Sequence, residues 1–513
     1  MKGFKYLLIF ACFIPLLFFR DFTPNNELKY LSIADEALRD GHFFTFWNHG
    51  MVYADKPPLY LWIVMLGKWL LGTHSMFFIG LFSMIPALVS IFVMDKWVSS
   101  SITREQRNSA GLMLITSGLF VGSAVVLRMD MLMCMFIVLA LYTFFRIYTG
   151  QHKKQDSILL PIYIFMAVFT KGPVGILVPL LSIPSFLLLQ GKIRDFSKYL
   201  GWKQFGILLG LCFIWFGGVY LEGGNEYLNN LLFNQTVNRA IDSFHHKEPI
   251  WYYLKTIWYS LAPWILFYLV AIILGLRKHL LNTDLKKFFL IIIVTTFVAL
   301  SIFSGKLDIY MLPIFPFVAY LAFLMLPDIR EKYLRFTVAI PAGLLFLAFP
   351  AYLIARKFIT LPFPEPVILP IATCLLTVGS AFSLYFLIRG RLLRATNSLA
   401  IGLLLTILTG SFAIPGLNSY IGFGEMAQKA QTIAREQGIK NYYYYPFRSG
   451  ENMDAYLNQE INQIDLAGIS SLIDKQKFIL FVKNKDIIRN ADLQKIIENR
   501  TSYTFGDYSI IVF

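Results

Sequence analysis

The chain has 513 residues, with 46 Lys and Arg against 31 Asp and Glu, a formal charge of +15, yet only 15% of it is charged and 57% is hydrophobic. A bilayer-crossing helix needs about 20 mostly apolar residues, and roughly 13 such runs can be placed here, so the chain reads as an α-helical polytopic membrane protein rather than a soluble enzyme. The excess basic charge falls in short loops between those runs, which membrane topology accounts for; membrane lipids are expected partners, and no nucleic acid is.

In chain order, Met1–Phe19 carries Lys2 and Lys5 ahead of an apolar stretch. With no small-x-small cleavage site before Arg20, it reads as an uncleaved first span. Loops rich in Lys and Arg follow at Arg104 and Arg107, at Arg146, Lys153 and Lys154, at Lys192 to Lys203, at Arg277 to Lys287, at Arg330 to Arg335 and at Arg389 to Arg394. They alternate with sparser segments: about 20–74, the turns at Arg128 and Lys171, about 222–255, and the turns at Lys306 and Arg356. The positive-inside rule puts the basic set in the cytoplasm with the N-terminus, and the sparse set outside. An odd number of spans then leaves the C-terminus outside. From about Gly416 the composition changes to spread charges and short β-type runs, so 1–415 reads as the membrane domain and 416–513 as a small α/β domain on the outer face, divided at Pro415-Gly416. Cys12, Cys134, Cys212 and Cys374 have no disulfide or zinc-knuckle spacing.

Residues able to carry chemistry gather in the sparse segments. The first of these, about 50 residues long, holds Asn26, Glu27 and Tyr30 and then Asp55-Lys56-Pro57-Pro58; ordered loops of that length are usually functional. Glu27 and Asp55 offer carboxylates at the membrane surface, and Lys56 offers a cation to a phosphate. Arg128-Met129-Asp130 sits between two apolar runs, where ionisable groups are costly and are paired or functional. Thr170-Lys171-Gly172-Pro173 and Ser304-Gly305-Lys306-Leu307-Asp308-Ile309-Tyr310 each place a Lys beside a Gly, and glycine lets backbone approach an anion closely. Against these stand plainer readings: solvated loop charges, an Arg–Asp pair at a tight turn, lysines snorkelling to headgroups. His245, His246 and Glu248 have metal-ligand chemistry without the helical HExxH spacing. No cofactor is required by the sequence, and a divalent metal stays open.

Taken in order, the acidic loop, Asp-Lys-Pro-Pro, Arg-x-Asp, Thr-Lys-Gly-Pro, Pro249-x-Trp251-Tyr252-Tyr253 and Ser-Gly-Lys-Leu-x-x-Tyr resemble the aminoarabinose lipid A transferases, which stand with the protein O-mannosyltransferases in the GT-C class. The resemblance covers about residues 1–330. It implies a GT-C fold with about 13 transmembrane helices and an outer C-terminal domain, in a bacterial inner membrane. It further implies transfer of a sugar, with inversion, from a polyprenyl-phosphate donor to a glycolipid, polysaccharide or protein acceptor on the periplasmic face. The family's catalytic Asp-Glu pair matches Asn26-Glu27, so the base becomes Glu27 or Asp55, and Glu27→Gln is expected to abolish turnover while leaving the fold intact. Asp130 matches the second functional aspartate. Lys56, Lys306 and Arg239 match donor-phosphate contacts, with Arg128 and Lys171 as further cations, and Tyr310 and Tyr30 are candidates for acceptor contact. Two other functions fit the same sequence: an inactive binder of polyprenyl-phosphate sugars, on account of Asn26, and a transporter or flippase of lipid-linked sugars. The clustering of distinctive charges at one face rather than at the midplane favours the transferase.

Overall fold

The computed structural model describes residues 3–233, 247–358 and 365–513. Among them, eight helices are long and apolar enough to cross a membrane, or up to eleven if each of three sharply bent pairs is one span. That compares with the roughly 13 apolar runs of the sequence; a helix such as Val174–Leu189 is apolar but, at about 24 Å, shorter than a bilayer core.

Helix α1 (Phe4–Phe19) contains one charged residue, Lys5, and ends where Arg20 takes an extended conformation. The chain then bends by 81° through one π-helical turn (Pro24–Leu28) into α2 (Lys29–Asp40), an amphipathic helix stopped by Gly41 at φ 77°. A two-residue hairpin follows, β1 (Trp47–Asn48) and β2 (Met51–Val52), with His49 and Gly50 at its tip, both at positive φ. Next come α3 (Leu59–Leu71), whose Trp69 and Leu70 are exposed, and α4 (Met76–Trp97), capped by Ser75 accepting from the Phe78 amide. The remaining helices of the first half are α5 (Arg104–Ile115), α6 (Gly118–Val125), α7 (Asp130–Tyr148), α8 (Asp156–Lys171) and α9 (Val174–Leu189).

The interior of the bundle is built around α7 and the helix Phe315–Met325, which is buried along its whole length. On the periphery, the helix Trp202–Asn229 exposes Phe213, Ile214 and Leu221, a continuous apolar surface of the kind that faces lipid. The end of the bundle away from the first loop is tied by Asp95, whose carboxylate accepts from Lys5, from Tyr6 (2.5 Å) and from Tyr320 (2.7 Å). A buried carboxylate among apolar helices needs such partners; here they fix the start of α1 against the end of α4.

A small C-terminal domain holds one sheet of order β4-β3-β5-β7-β6, formed by β3 (Asn441–Tyr444), β4 (Asn462–Gln463), β5 (Phe478–Lys483), β6 (Thr501–Phe505) and β7 (Tyr508–Val512). β3 pairs in parallel with β4 and β5, while β7 pairs antiparallel with β5 and β6. Side chains of β5 alternate between the two faces, as strand geometry requires: Phe478, Leu480 and Val482 join Ile469 and Leu493 on one side. On the other side Ile479 and Phe481 share a core with the helix Gly424–Gln437 and with Leu31, Ala34 and Ala37 of α2. The C-terminal domain and the first loop therefore have one hydrophobic core in common.

Candidate active site

The carboxylate of Glu27 is fully engaged. Its Oε1 accepts from Arg20 Nη2 (2.6 Å) and from the Leu127 amide (2.8 Å), and its Oε2 accepts from Arg20 Nη1 (2.7 Å), the Thr23 amide (2.7 Å) and the Thr23 hydroxyl (2.9 Å). Glu27 is 1% exposed. A bidentate Arg–carboxylate pair with every lone pair used is a strong, geometrically fixed contact, and it ties the turn after α1 to the segment that carries Arg128 and Asp130. Asn26, the neighbour that stands in the place of the family's aspartate, is exposed on the same turn. So of the two matched positions the amide faces outward and the acid is a joint. With Arg20 beside it, the expectation for Glu27→Gln changes: removing the charge leaves a buried guanidinium without its partner, so the fold itself is affected.

A second group converges from five segments of the chain. Asp130, at the start of α7 and 1% exposed, accepts from Lys171 at the end of α8 and from Arg128 Nε (3.1 Å). Gly172, at φ 82°, turns the chain from α8 into α9 and brings its backbone beside Pro57. This close approach sets the Lys171 turn against Asp55-Lys56-Pro57-Pro58. Lys56 pairs with Asp55 at 3.1 Å and acts electrostatically on both Asp130 and Lys171. The Lys171 ammonium lies 4.7 Å from the centre of the Tyr310 ring, a cation–π distance. Tyr30 is within electrostatic reach of Arg128, Asp130 and Asp55 and is hydrogen-bonded to Tyr53. Tyr30, Asp55, Lys56, Arg128, Asp130, Lys171 and Tyr310 thus form one cluster, in which Lys56, Arg128 and Lys171 outnumber Asp55 and Asp130. Each of its carboxylates faces a cation, so the cluster presents net positive charge to a ligand.

Lys306 is placed differently. It is 3% exposed, and its ammonium donates to the Glu248 carbonyl (2.8 Å) and to that of Phe303, which pins the strand-like segment at Lys247, bridged to Gly305, against the end of the helix Asp284–Ile302. Asp308 accepts from the hydroxyls of Tyr252 (3.1 Å) and Tyr259 (2.8 Å) and so holds the helix Tyr252–Ser260 to the same turn that ends in Tyr310. Arg239, His245 and His246 lie outside the described residues. Among the described residues no group of three His, Cys, Asp or Glu could hold a metal ion.

Reading the sequence missed Arg20, although an arginine ending an apolar run is the kind of boundary charge that calls for a partner. Tyr53 and Asp308, though they stand within the motifs, were assigned no role by it. It also missed the contribution of the C-terminal domain, whose Ser449 hydroxyl donates to Asn25 Oδ1 (2.7 Å) and whose Asn452 amide donates to the Pro24 carbonyl (3.3 Å). Nothing in the sequence signals pairs so far apart.

Against known proteins, the dolichyl-phosphate-mannose-protein mannosyltransferase family matches residues 55–216, the stretch holding Asp55-Lys56-Pro57-Pro58, Arg128-Met129-Asp130 and Thr170-Lys171-Gly172-Pro173. An undecaprenyl phosphate-alpha-4-amino-4-deoxy-L-arabinose arabinosyl transferase of Pectobacterium atrosepticum is 26% identical over 324 residues, 60% of this chain and 57% of that protein. An uncharacterized protein of Aquifex aeolicus is 27% identical over 329 residues, 61% of this chain and 62% of its own length. The matches thus span less than two thirds of either relative. In fold, the crystal structure of ArnT from Cupriavidus metallidurans bound to undecaprenyl phosphate superposes with a TM-score of 0.76 at 18% identity, covering 100% of this chain and 98% of that one. Ordered motifs, a family match that spans three of them and a fold shared from end to end agree in making the chain similar to polyprenyl-phosphate-sugar glycosyltransferases of the GT-C class.

Proposed function

We propose that this protein transfers a sugar from a polyprenyl-phosphate donor to a lipid A-like glycolipid on the periplasmic face of a bacterial inner membrane, with inversion at the sugar carbon. The observation that carries the reading is the charge arrangement at the loop face. Lys56, Arg128 and Lys171 converge from three segments onto Asp130, beside apolar helices able to accept a polyprenyl tail. When the bond from the anomeric carbon to the donor phosphate oxygen breaks, negative charge grows on that phosphate, and preorganised cations are the largest aid an enzyme gives such a step. Lys56 is the group best placed to meet it, because its side chain is partly exposed while Lys171 is buried against Asp130. Arg239 keeps its place as a candidate contact on motif grounds, and Lys306, committed to two carbonyls, supports the turn that presents Tyr310.

The same arrangement bears on the acceptor. Glu27 is saturated, Asp130 is held between two cations and Asp55 is paired with Lys56. A hydroxyl acceptor needs a carboxylate free to take its proton; an acceptor phosphate oxygen is already ionised and needs none. A phosphate-bearing glycolipid therefore suits this site, and Asn26, exposed on its turn, serves as a hydrogen-bonding group rather than a base. The names of the relatives support the donor class, and the resemblance supports the bacterial inner membrane.

The test is a turnover assay of the purified protein with a panel of polyprenyl-phosphate sugars and glycolipids that carry or lack a phosphate, following release of free polyprenyl phosphate by mass. Release that requires the phosphorylated glycolipid is the expected result. Saturable donor binding without release across the panel would leave an inactive binder instead. Lys56→Ala should weaken polyprenyl-phosphate binding about tenfold or more, the loss of one charge-assisted contact to an ionised group; unchanged binding removes Lys56 from the donor site.

A further inference from the structure

Residues 449–456 of the C-terminal domain reach over the first loop at two places. At the first, Ser449 and Asn452 hold Asn25 and the Pro24 carbonyl, on the turn whose Glu27 accepts from the Leu127 amide next to Arg128. At the second, Asp454 holds two separate parts of the loop with one carboxylate. Its Oδ1 accepts from Ser32 of α2 (2.5 Å) and from the Ala455 amide of its own helical turn (2.7 Å), while Oδ2 faces His49 Nε2 at 3.0 Å.

His49 sits at the hairpin tip with φ 54°, a conformation that a residue with a side chain keeps only where its surroundings hold it. Here they do: both Glu36 oxygens accept from the tip, from the His49 amide (2.7 Å) and the Gly50 amide (2.9 Å). The hairpin then passes its register on. Trp47 pairs with Val52, the Tyr53 amide donates to the Phe46 carbonyl (2.8 Å), and the Tyr53 carbonyl accepts from Tyr227 (2.9 Å). Asp55 and Lys56 follow within three residues. These bonds fix the hairpin up to Tyr53, so a shift at His49 is passed to the segment that carries Lys56.

We propose that Asp454 is a positioning residue for the transfer site: by gripping Ser32 and His49 it sets where the hairpin delivers Lys56, and the C-terminal domain is thereby part of the donor-binding machinery. This rests on the reading of Lys56 as the donor-phosphate contact. It makes the domain an integral wall of the site rather than an appendage, consistent with the hydrophobic core it shares with α2.

The experiment uses the full chain in detergent, with binding of polyprenyl monophosphate and steady-state kinetics read side by side. Asp454→Ala should raise the donor KM and the Kd for polyprenyl monophosphate about tenfold, with kcat at saturating donor changed far less, since misplacing a binding group acts on the group it positions. His49→Ala should follow it, and His49→Gln, which keeps a donor for Asp454, should lie near wild type. Asp465→Ala removes a helix cap inside the same domain but away from the loop; it should lower the melting temperature and leave the donor KM unchanged. Unchanged donor KM and Kd in both Asp454→Ala and His49→Ala overturn the proposal, as does an equal rise in KM for Asp465→Ala. If Asp454→Ala does not fold, the His49 pair, at a partly buried hairpin tip of only two strand residues on each side, decides alone. A wild-type protein that fails to bind polyprenyl monophosphate overturns the site reading and this inference together, whereas wild-type binding unaltered in the variants overturns the inference only.

Discussion

Two buried ion pairs at the loop face set what single residues can reveal by mutation. Arg20 and Glu27 are 10% and 0% exposed at their side chains, and removing one member of such a pair leaves the other charge stranded, at a cost of about 3–5 kcal/mol. Glu27→Gln should therefore lower stability in a denaturation experiment, and Arg20→Met combined with Glu27→Leu should recover most of the loss. Activity lost in the single variant and regained in the double would make Glu27 a structural joint; activity absent from both at restored stability would return it to the chemistry. Asp130 follows the same logic with Lys171, whose side chains are 1% and 6% exposed. Asp130→Asn should both destabilise and inactivate, and adding Lys171→Met should restore stability without restoring turnover, because Asp130 also holds Arg128. Which residues these would be was largely written in the sequence: Asp55, Lys56, Arg128, Asp130, Lys171 and Tyr310 were all named from their motifs, and all fall in one cluster. How Glu27 is used was not, because its partner Arg20 meets it only across a π-helical turn that no local pattern signals.

At the level of elements, the contact between the β1–β2 hairpin and the C-terminal domain carries a pH dependence. Burial, the largest influence on His49, works against its proton. The hydrogen bond and charge of Asp454, aided by Glu451 and Glu36, outweigh it and raise its pKa above the ordinary 6.5. Because the folded value is the higher one, the stability that His49 lends to this contact is complete below the unfolded value and is lost as pH rises through the folded value. The melting temperature of the wild type should thus fall as pH rises above the ordinary histidine value, and His49→Gln, with no group titrating at that place, should show a smaller fall; equal slopes would remove His49 from the contact. Apolar runs made the spans legible, and the short β-type run from Phe478 to Val482 made a strand legible. The short elements were not, since a two-residue hairpin and a five-residue turn owe their shape to Glu36, Asp454 and Glu27 rather than to their own propensities.

For the molecule as a whole, the bonds from Asp21, Asn25, Ser32 and His49 to residues 418–456 place the first loop and the C-terminal domain on one side of the bundle, whichever side that is. Cysteines introduced at Met51 and Ile488, both well exposed, should react with a membrane-impermeant thiol reagent from the same side. A cysteine at Lys153, between α7 and α8 at the opposite end, should react from the other. Labelling of positions 51 and 488 in intact cells fits the proposed orientation, and labelling of 153 there reverses it. The distance along the chain between these partners also bears on how the protein is made. Asp21 meets Tyr456 across 435 residues, and at translation rates of about 5–20 residues per second the second partner emerges roughly 20 to 90 seconds after the first. Throughout that interval Asn25, Ser32 and His49 of the first loop lack their C-terminal partners, while the later helices are still being made. The site is consequently the last part of the molecule to be completed, and a chain that stalls before its final hundred residues displays an unfinished loop that surveillance proteases can recognise.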